Sequence, residues 1–252
     1  MAGSSGLYFG RAAYRSKMVS RRQMAAWAAD NFRFRLRGST DEAAARVLVQ
    51  IKELMRGVPE IEIARLAPAV LAGVLPRIYP QMLDEVHAHQ DAGRATFIVS
   101  AAGNGLVELL AEVLAMDGGI GTRYAVDSEG LLTGEVEGPF IYGEGKVEAM
   151  KEFAGAHGVN LAESFAYSDS ASDLPMLRAV GNAVVVNPDE ELLRIARAED
   201  WQVLRFEQLG RRIAVAAGTF AALAVAAVGS RLAPQPIGFR GGRGRAALRR
   251  NR

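Results

Sequence analysis

Cysteine is missing from all 252 residues, which excludes disulfides and thiolate metal sites and suits a reducing compartment. Histidine is scarce. The three present, His87, His89 and His157, fall in polar helical stretches and read as solvated, so no imidazole metal centre is expected. No long apolar run lies near the first residue, so no signal peptide is expected. From Gln208 to Arg252 there is no acidic residue, against nine arginines: Arg211, Arg212, Arg231, Arg240, Arg243, Arg245, Arg249, Arg250 and Arg252. Taken out of a formal net charge of +2, those nine leave −7 for residues 1–207. The sequence pI near 9.0 therefore belongs to the tail. An acidic body argues against a specific nucleic-acid partner, and a basic tail is ordinarily a solvated one.

What is present is enough apolar residue, 50% of the chain, to bury a sizeable core in one large or two small domains. Residues 7–92 read as helical. Met24–Ala29 and Ala43–Leu48 are rich in strong helix formers. Gly38–Glu42 is a turn with a candidate N-cap, and Pro59, Pro68, Pro76 and Pro80 punctuate the later helices. From residue 94 strands and helices alternate, which implies an α/β fold with a parallel sheet. The candidate strands are 95–100, 121–127, 164–168, 182–186 and 201–205, with a hairpin turn at Gly130.

Three places in this alternation carry chemistry. Tyr167-Ser168-Asp169-Ser170-Ala171-Ser172-Asp173-Leu174-Pro175-Met176 follows an apolar run and leads into a helix. Its two carboxylates, four residues apart, can hold a hard cation between them. Upstream, the strand Arg94–Val99 ends in the hydroxyl of Ser100. Ala101-Ala102-Gly103-Asn104-Gly105 follows as a small-residue turn, able to gather backbone N–H groups around an anion. Between them, Tyr142-Gly143-Glu144-Gly145-Lys146 sets a glycine-flanked lysine at a helix start, where a compact ammonium suits a phosphate oxygen. Taken singly, Ser100 is a turn hydroxyl, Lys146 a surface lysine and the aspartates solvated helix-start residues. In this order they make a phosphate site, with Ser100, Ala101, Gly103 and Lys146 on the phosphate and Asp169 and Asp173 on the metal.

This series resembles the haloacid dehalogenase superfamily, and within it the phosphoserine-phosphatase-like branch, subfamily IB. Ser100 matches that family's second motif, Lys146 its third, and Asp169 with Asp173 its fourth, over roughly residues 1–205. The resemblance implies a Mg²⁺-dependent hydrolase of small phosphorylated metabolites that works through an aspartyl-phosphate intermediate. It also implies a three-layer Rossmann-like core at residues 93–207 and a helical cap at residues 1–92. Residues 208–252 are expected to form an apolar helix and basic tail. The expected location is the cytoplasm.

The family's first motif, Asp-x-Asp-x-Thr on an N-terminal strand, supplies its nucleophile. No Asp-x-Asp occurs in this chain, and the first acidic residue is Asp30. The opening Met1–Gly10 is similar to the small-residue segment that directly follows that motif in relatives. The expectation is that the first core strand lies upstream of Met1, so that the chain as written is inactive. Two other function classes stay open: a non-catalytic phosphate-binding or regulatory relative, and a membrane-tethered interaction protein. Ile213–Gly229 bears on the last. Its seventeen apolar or small residues would span about 26 Å as a helix, at the lower limit for a bilayer. That run is either a membrane contact or a helix packed on protein.

Overall fold

Prolines mark the starts of the later helices in the first half of the chain. The computed structural model describes residues 5–16, 19 and 41–206, and there the helices are α1 (Ser5–Arg15), α2 (Asp41–Met55), α3 (Glu60–Ala64), α4 (Ala67–Val74) and α5 (Pro80–Asp91). Pro68 and Pro80 sit in the first turns of α4 and α5, where a missing N–H leaves no helical bond unmade. Pro76 falls in a short 3₁₀ turn, Leu75–Arg77. The expected helix around Met24–Ala29 and the residues Gly38–Thr40 lie outside the described residues.

These helices do not stand apart from the rest. Tyr8, Ala12 and Ala13 of α1 bury themselves with Leu66, Val70 and Val74, and Leu106 and Leu110 of α6 (Asn104–Val113) pack on the same cluster. The C-terminal end of α2 docks on a hairpin of strands β2 (Gly118–Val126) and β3 (Leu132–Glu137). There Gly57 N–H donates to Leu132 O at 2.7 Å, and Lys52 Nζ donates to Glu135 at 2.7 Å.

The α/β part runs β1 (Phe97–Gly103), α6, β2, β3, α7 (Glu144–His157), β4 (Phe165–Ser168), α8 (Leu174–Arg178), β5 (Asn182–Val186), α9 (Glu190–Ala198) and β6 (Gln202–Leu204). Among the described residues the strands form two three-stranded sheets, ordered β1-β2-β3 and β4-β5-β6. β1 pairs parallel with β2, β2 antiparallel with β3, and β4, β5 and β6 all run parallel. The α/β expectation thus holds.

The two sheets differ in how well they are covered. β5 reads Asn-Ala-Val-Val-Val and buries all but its first residue, as a strand with neighbours on both sides should. It shares a core with Leu177, Leu192 and Ala196, whose helices α8 and α9 lie against it. α9 starts where Asp189 accepts the Leu192 N–H at 2.8 Å, an N-cap that satisfies a helix-end donor. β1 is as apolar in sequence, yet every residue in it is only half-buried. Among the described residues it is an outer strand of its sheet, as β4 is of the other. Val99 of β1 nonetheless packs into the cluster that holds Ala166 of β4, so the two outer strands belong to one core.

One expectation at β1 needs correction. The strand does not end at Ser100 and turn through Ala101–Gly105. It continues to Gly103, and α6 begins at Asn104. Regular pairing stops at Val99 with Ile120 and resumes at Gly103 with Thr122. Three residues, Ser100–Ala102, therefore bulge against one residue of β2, as strands often do beside functional sites.

No helix among the described residues is long and apolar enough to cross a membrane. The candidate membrane contact at 213–229 lies outside the described residues.

Candidate phosphate and metal site

β4 delivers the aspartate motif to the carboxyl end of its sheet, where ligands bind in folds of this kind. Ala166 and Ser168 point into the protein, and Leu177 and Met176 of α8 are buried beneath. Beyond Ser168 the chain turns tightly. Ser170 Oγ accepts the Ser172 N–H at 3.3 Å, which caps a 3₁₀ turn over Ala171–Asp173. Pro175 then takes the first turn of α8. The serine-rich spelling of this stretch is a run of local hydrogen bonds from side chain to backbone.

Lys146 comes from the first turn of α7, and glycines put it there. Gly143 holds φ +53° ahead of the helix, a conformation that side chains disfavour. A Cβ on Gly145 would collide with the carbonyl oxygen of Phe140, so only glycine lets that loop lie against the helix start. The result is a lysine that is 7% exposed, not the surface lysine that its type would suggest.

Inside, Lys146 Nζ meets Asp173 Oδ1 at 2.7 Å, and Ser168 Oγ donates to Asp173 Oδ2, also at 2.7 Å. Both oxygens of Asp173 are thus held by donors, and all three groups are buried. Asp169 differs. It is open to solvent, and its carboxyl lies above the ordinary range because the surrounding protein disfavours its charge. Asp173 adds to this effect and Lys146 opposes it. A carboxylate in that position is eased by an arriving cation.

Ser100 lies in the bulge of β1. Its Oγ accepts the Ala102 N–H at 3.2 Å, while Thr122 Oγ1 donates to Ala101 O at 3.0 Å. Gly103 begins the return to regular pairing. Among the described residues no hydrogen bond joins Ser100 to Lys146 or Asp173. The structure therefore brings Lys146, Asp173 and Ser168 into direct contact, with Asp169 next in the chain, and puts Ser100 on the facing outer strand.

Two features escaped the sequence reading. The motif's spelling assigns Ser168 no role, yet it holds Asp173. His89 was expected to be solvated, which is incorrect. Arg94 Nε donates to His89 Nδ1 at 2.7 Å, and His89 Nε2 lies 2.8 Å from Tyr167 Oη. A guanidinium can only donate, so Nδ1 carries the lone pair and Nε2–H donates to the tyrosine. The Tyr167 O–H then points at Glu85 Oε2, 3.4 Å away. Phe165 lies under both, with its ring 4.7 Å from that of His89 and 5.2 Å from the Arg94 guanidinium. Contacts this distant in sequence leave no periodic signal. His87 is exposed.

A family model of haloacid dehalogenase-like hydrolases matches residues 1–178. The chain is 35% identical over 209 residues, 82% of its length and 75% of the relative's, to an inhibition of morphological differentiation protein of Streptomyces azureus. It is 32% identical over 235 residues, 92% of its length and 75% of the relative's, to a phosphoserine phosphatase of Mycobacterium tuberculosis. A solved structure of a protein of unknown function from Bordetella pertussis superposes with a TM-score of 0.67 at 26% identity. It covers 80% of this chain and 91% of that one.

Proposed function

Because the chain belongs to the haloacid dehalogenase-like hydrolase family, we propose that it serves the hydrolysis of phosphate monoesters of small metabolites. The observation that carries this reading is the buried Lys146–Asp173 pair at 2.7 Å beside a solvent-open Asp169 at the carboxyl end of a parallel strand. Burying an ammonium and a carboxylate is costly and is seldom retained for stability alone. Here Asp173 neutralises Lys146 and fixes its direction, which leaves the remaining N–H groups of the lysine for a phosphate oxygen. Ser100 adds a hydroxyl from the facing strand, and Ala101 and Gly103 are its backbone neighbours in the phosphate cradle. The site stabilises charge spread over the equatorial oxygens of a transferring phosphoryl group, the main demand of this chemistry.

The oxygen donors suit Mg²⁺, which retains several waters and needs only one or two protein carboxylates. Asp169 is the carboxylate with free access and would hold the ion directly. Asp173, with both oxygens engaged, would act through water. Bound Mg²⁺ would neutralise charge on the phosphate oxygens. Among the described residues no group of three or more acidic, histidine or cysteine side chains gathers to hold a metal, so a further ligand would come from elsewhere.

The nucleophile is the open place. The aspartyl-phosphate route needs a carboxylate that Asp169 and Asp173 do not provide, and no Asp-x-Asp occurs in the sequence. β1 and β4 are outer strands that share one core, and outer parallel strands as apolar as β1 are ordinarily covered. A strand that carries the missing carboxylates would pair with both. The helical block within residues 1–92 would serve as the cap that selects the substrate.

The protein expressed with the in-frame codons upstream of Met1, assayed with Mg²⁺ on an aryl phosphate beside the 252-residue chain, tests this. Turnover by the longer protein alone is expected. Equal turnover by both would place the nucleophile within this sequence. Phosphate binding without turnover in either would favour a second reading, that of a non-catalytic phosphate-binding relative. The missing Asp-x-Asp is what supports it.

A further inference from the structure

The two residues that precede Asp169 are held on opposite faces of β4. Ser168 turns inward, donates to Asp173 Oδ2 at 2.7 Å, and accepts the Ser170 N–H at 3.1 Å. Tyr167 turns to the other face. There His89 Nε2–H donates to its hydroxyl at 2.8 Å, and the hydroxyl faces Glu85 at 3.4 Å. His89 is itself aimed by the Arg94 guanidinium at 2.7 Å and by edge-on contact with the rings of Phe165 and Tyr167. The anchors lie far apart in the chain: Glu85 and His89 on α5, Arg94 in the lead to β1, and Asp173 beyond the strand.

We propose that His89 and Ser168 are positioning residues that clamp β4 from its two faces and so aim the Asp169 carboxylate. The clamp rests on the reading of Asp169 as a metal carboxylate. The described backbone pairing of β4 ends at Ser168, opposite Val185, so the ladder alone leaves the exit of the strand at Asp169 free to twist. A side chain at each of positions 167 and 168, tied on opposite faces, removes that freedom. His89 serves because a neutral imidazole accepts on one nitrogen and donates on the other, as the Arg94–His89–Tyr167 order demands. A glutamine can do the same, since its amide oxygen accepts and its N–H donates. A leucine fills the space and does neither. The charged and titratable groups around the imidazole are Arg94, Glu85 and Tyr167, drawn from its own helix, the following loop and β4.

Two measurements on the full chain test this. Amide hydrogen exchange over residues 165–170, read by mass spectrometry, reports the clamp. Mn²⁺ affinity, read by electron paramagnetic resonance, reports the aim of Asp169. His89→Leu should speed exchange in 165–170 and leave residues 182–186 unchanged. It should also weaken Mn²⁺ binding about tenfold, the usual effect of losing a partner one shell out. His89→Gln should restore both to within about twofold, and Tyr167→Phe should reproduce the effects of His89→Leu. Unchanged exchange in His89→Leu and Tyr167→Phe overturns the proposal. Faster exchange with unaltered Mn²⁺ affinity also overturns it, because the clamp would then hold the strand without aiming the carboxylate. If Asp169→Asn binds Mn²⁺ as tightly as the unaltered chain, the metal reading fails separately, and the exchange result alone decides whether the clamp exists.

Discussion

Ser168 and Asp173 lie on either side of a tight turn, and the serine hydroxyl donates to the aspartate at 2.7 Å while Lys146 holds the other carboxylate oxygen. One carboxylate of the motif is therefore a fixed counter-ion and the other, Asp169, is the open one. This division of labour leads to the first two expectations.

Asp169→Asn should abolish metal binding and yet raise the melting temperature of the metal-free protein near pH 7. The Asp169 carboxyl is pushed up, first because the protein around it desolvates its charge, so rising pH ionises the unfolded chain first and the loss of stability is complete above that raised value. Near pH 3, where the carboxyl is protonated in folded and unfolded chains alike, the gain should vanish. Thermal melts with EDTA at the two pH values check this. A lower melting temperature for Asp169→Asn at neutral pH would contradict it.

Lys146→Met should destabilise the protein by about 3 kcal/mol, because it strands the buried Asp173 carboxylate without its partner. Lys146→Met combined with Asp173→Leu should recover part of that loss, since an apolar pair needs no counter-charge. Neither protein should bind inorganic phosphate. Urea unfolding gives the energies, and calorimetric titration gives the binding.

The His89 imidazole sits below its ordinary value of 6.5, first through burial and then through the Arg94 charge, with Glu85 opposing. A depressed histidine costs nothing while it is neutral in both states. Its contribution is therefore intact above about pH 6.5, and it is lost as acid protonates the unfolded chain first. The melting temperature should fall more between about pH 7.5 and about pH 5 in the unaltered protein than in His89→Gln. Parallel pH profiles would show that His89 is not the titrating group.

Leu177 is fully buried between α8 and β5. Leu177→Ala should cost about 2–5 kcal/mol and, by loosening the floor under β4, weaken Mn²⁺ binding as well. The exposed Val113, changed to alanine, should do neither. Chemical denaturation of the two variants makes the comparison.

Much of the fold was legible because its signals are local. β5 is a run of apolar residues between a glycine and a proline, α9 begins with an aspartate cap, and the β2–β3 hairpin is announced by Gly130, which holds φ +80°. The order of hydroxyl, lysine and paired aspartates also survives in one dimension, because Lys146 starts a helix and the aspartates link a strand end to a helix start. The extent of β1 was misjudged at Ser100. Small residues there signal a turn, and only pairing across to β2 makes the same residues a bulge in a longer strand.

The sequence by itself determined which chemical groups the protein has and the order in which strands and helices present them, since turn chemistry, apolar periodicity and motif spacing act over a few residues. Tertiary structure decided which groups meet. It buried Lys146 against Asp173, left Asp169 open, and drew His89 from an ordinary polar helix onto Tyr167, 78 residues away. Whether a histidine is solvated or an aspartate is free depends on what the rest of the chain packs against it, and no local pattern records that.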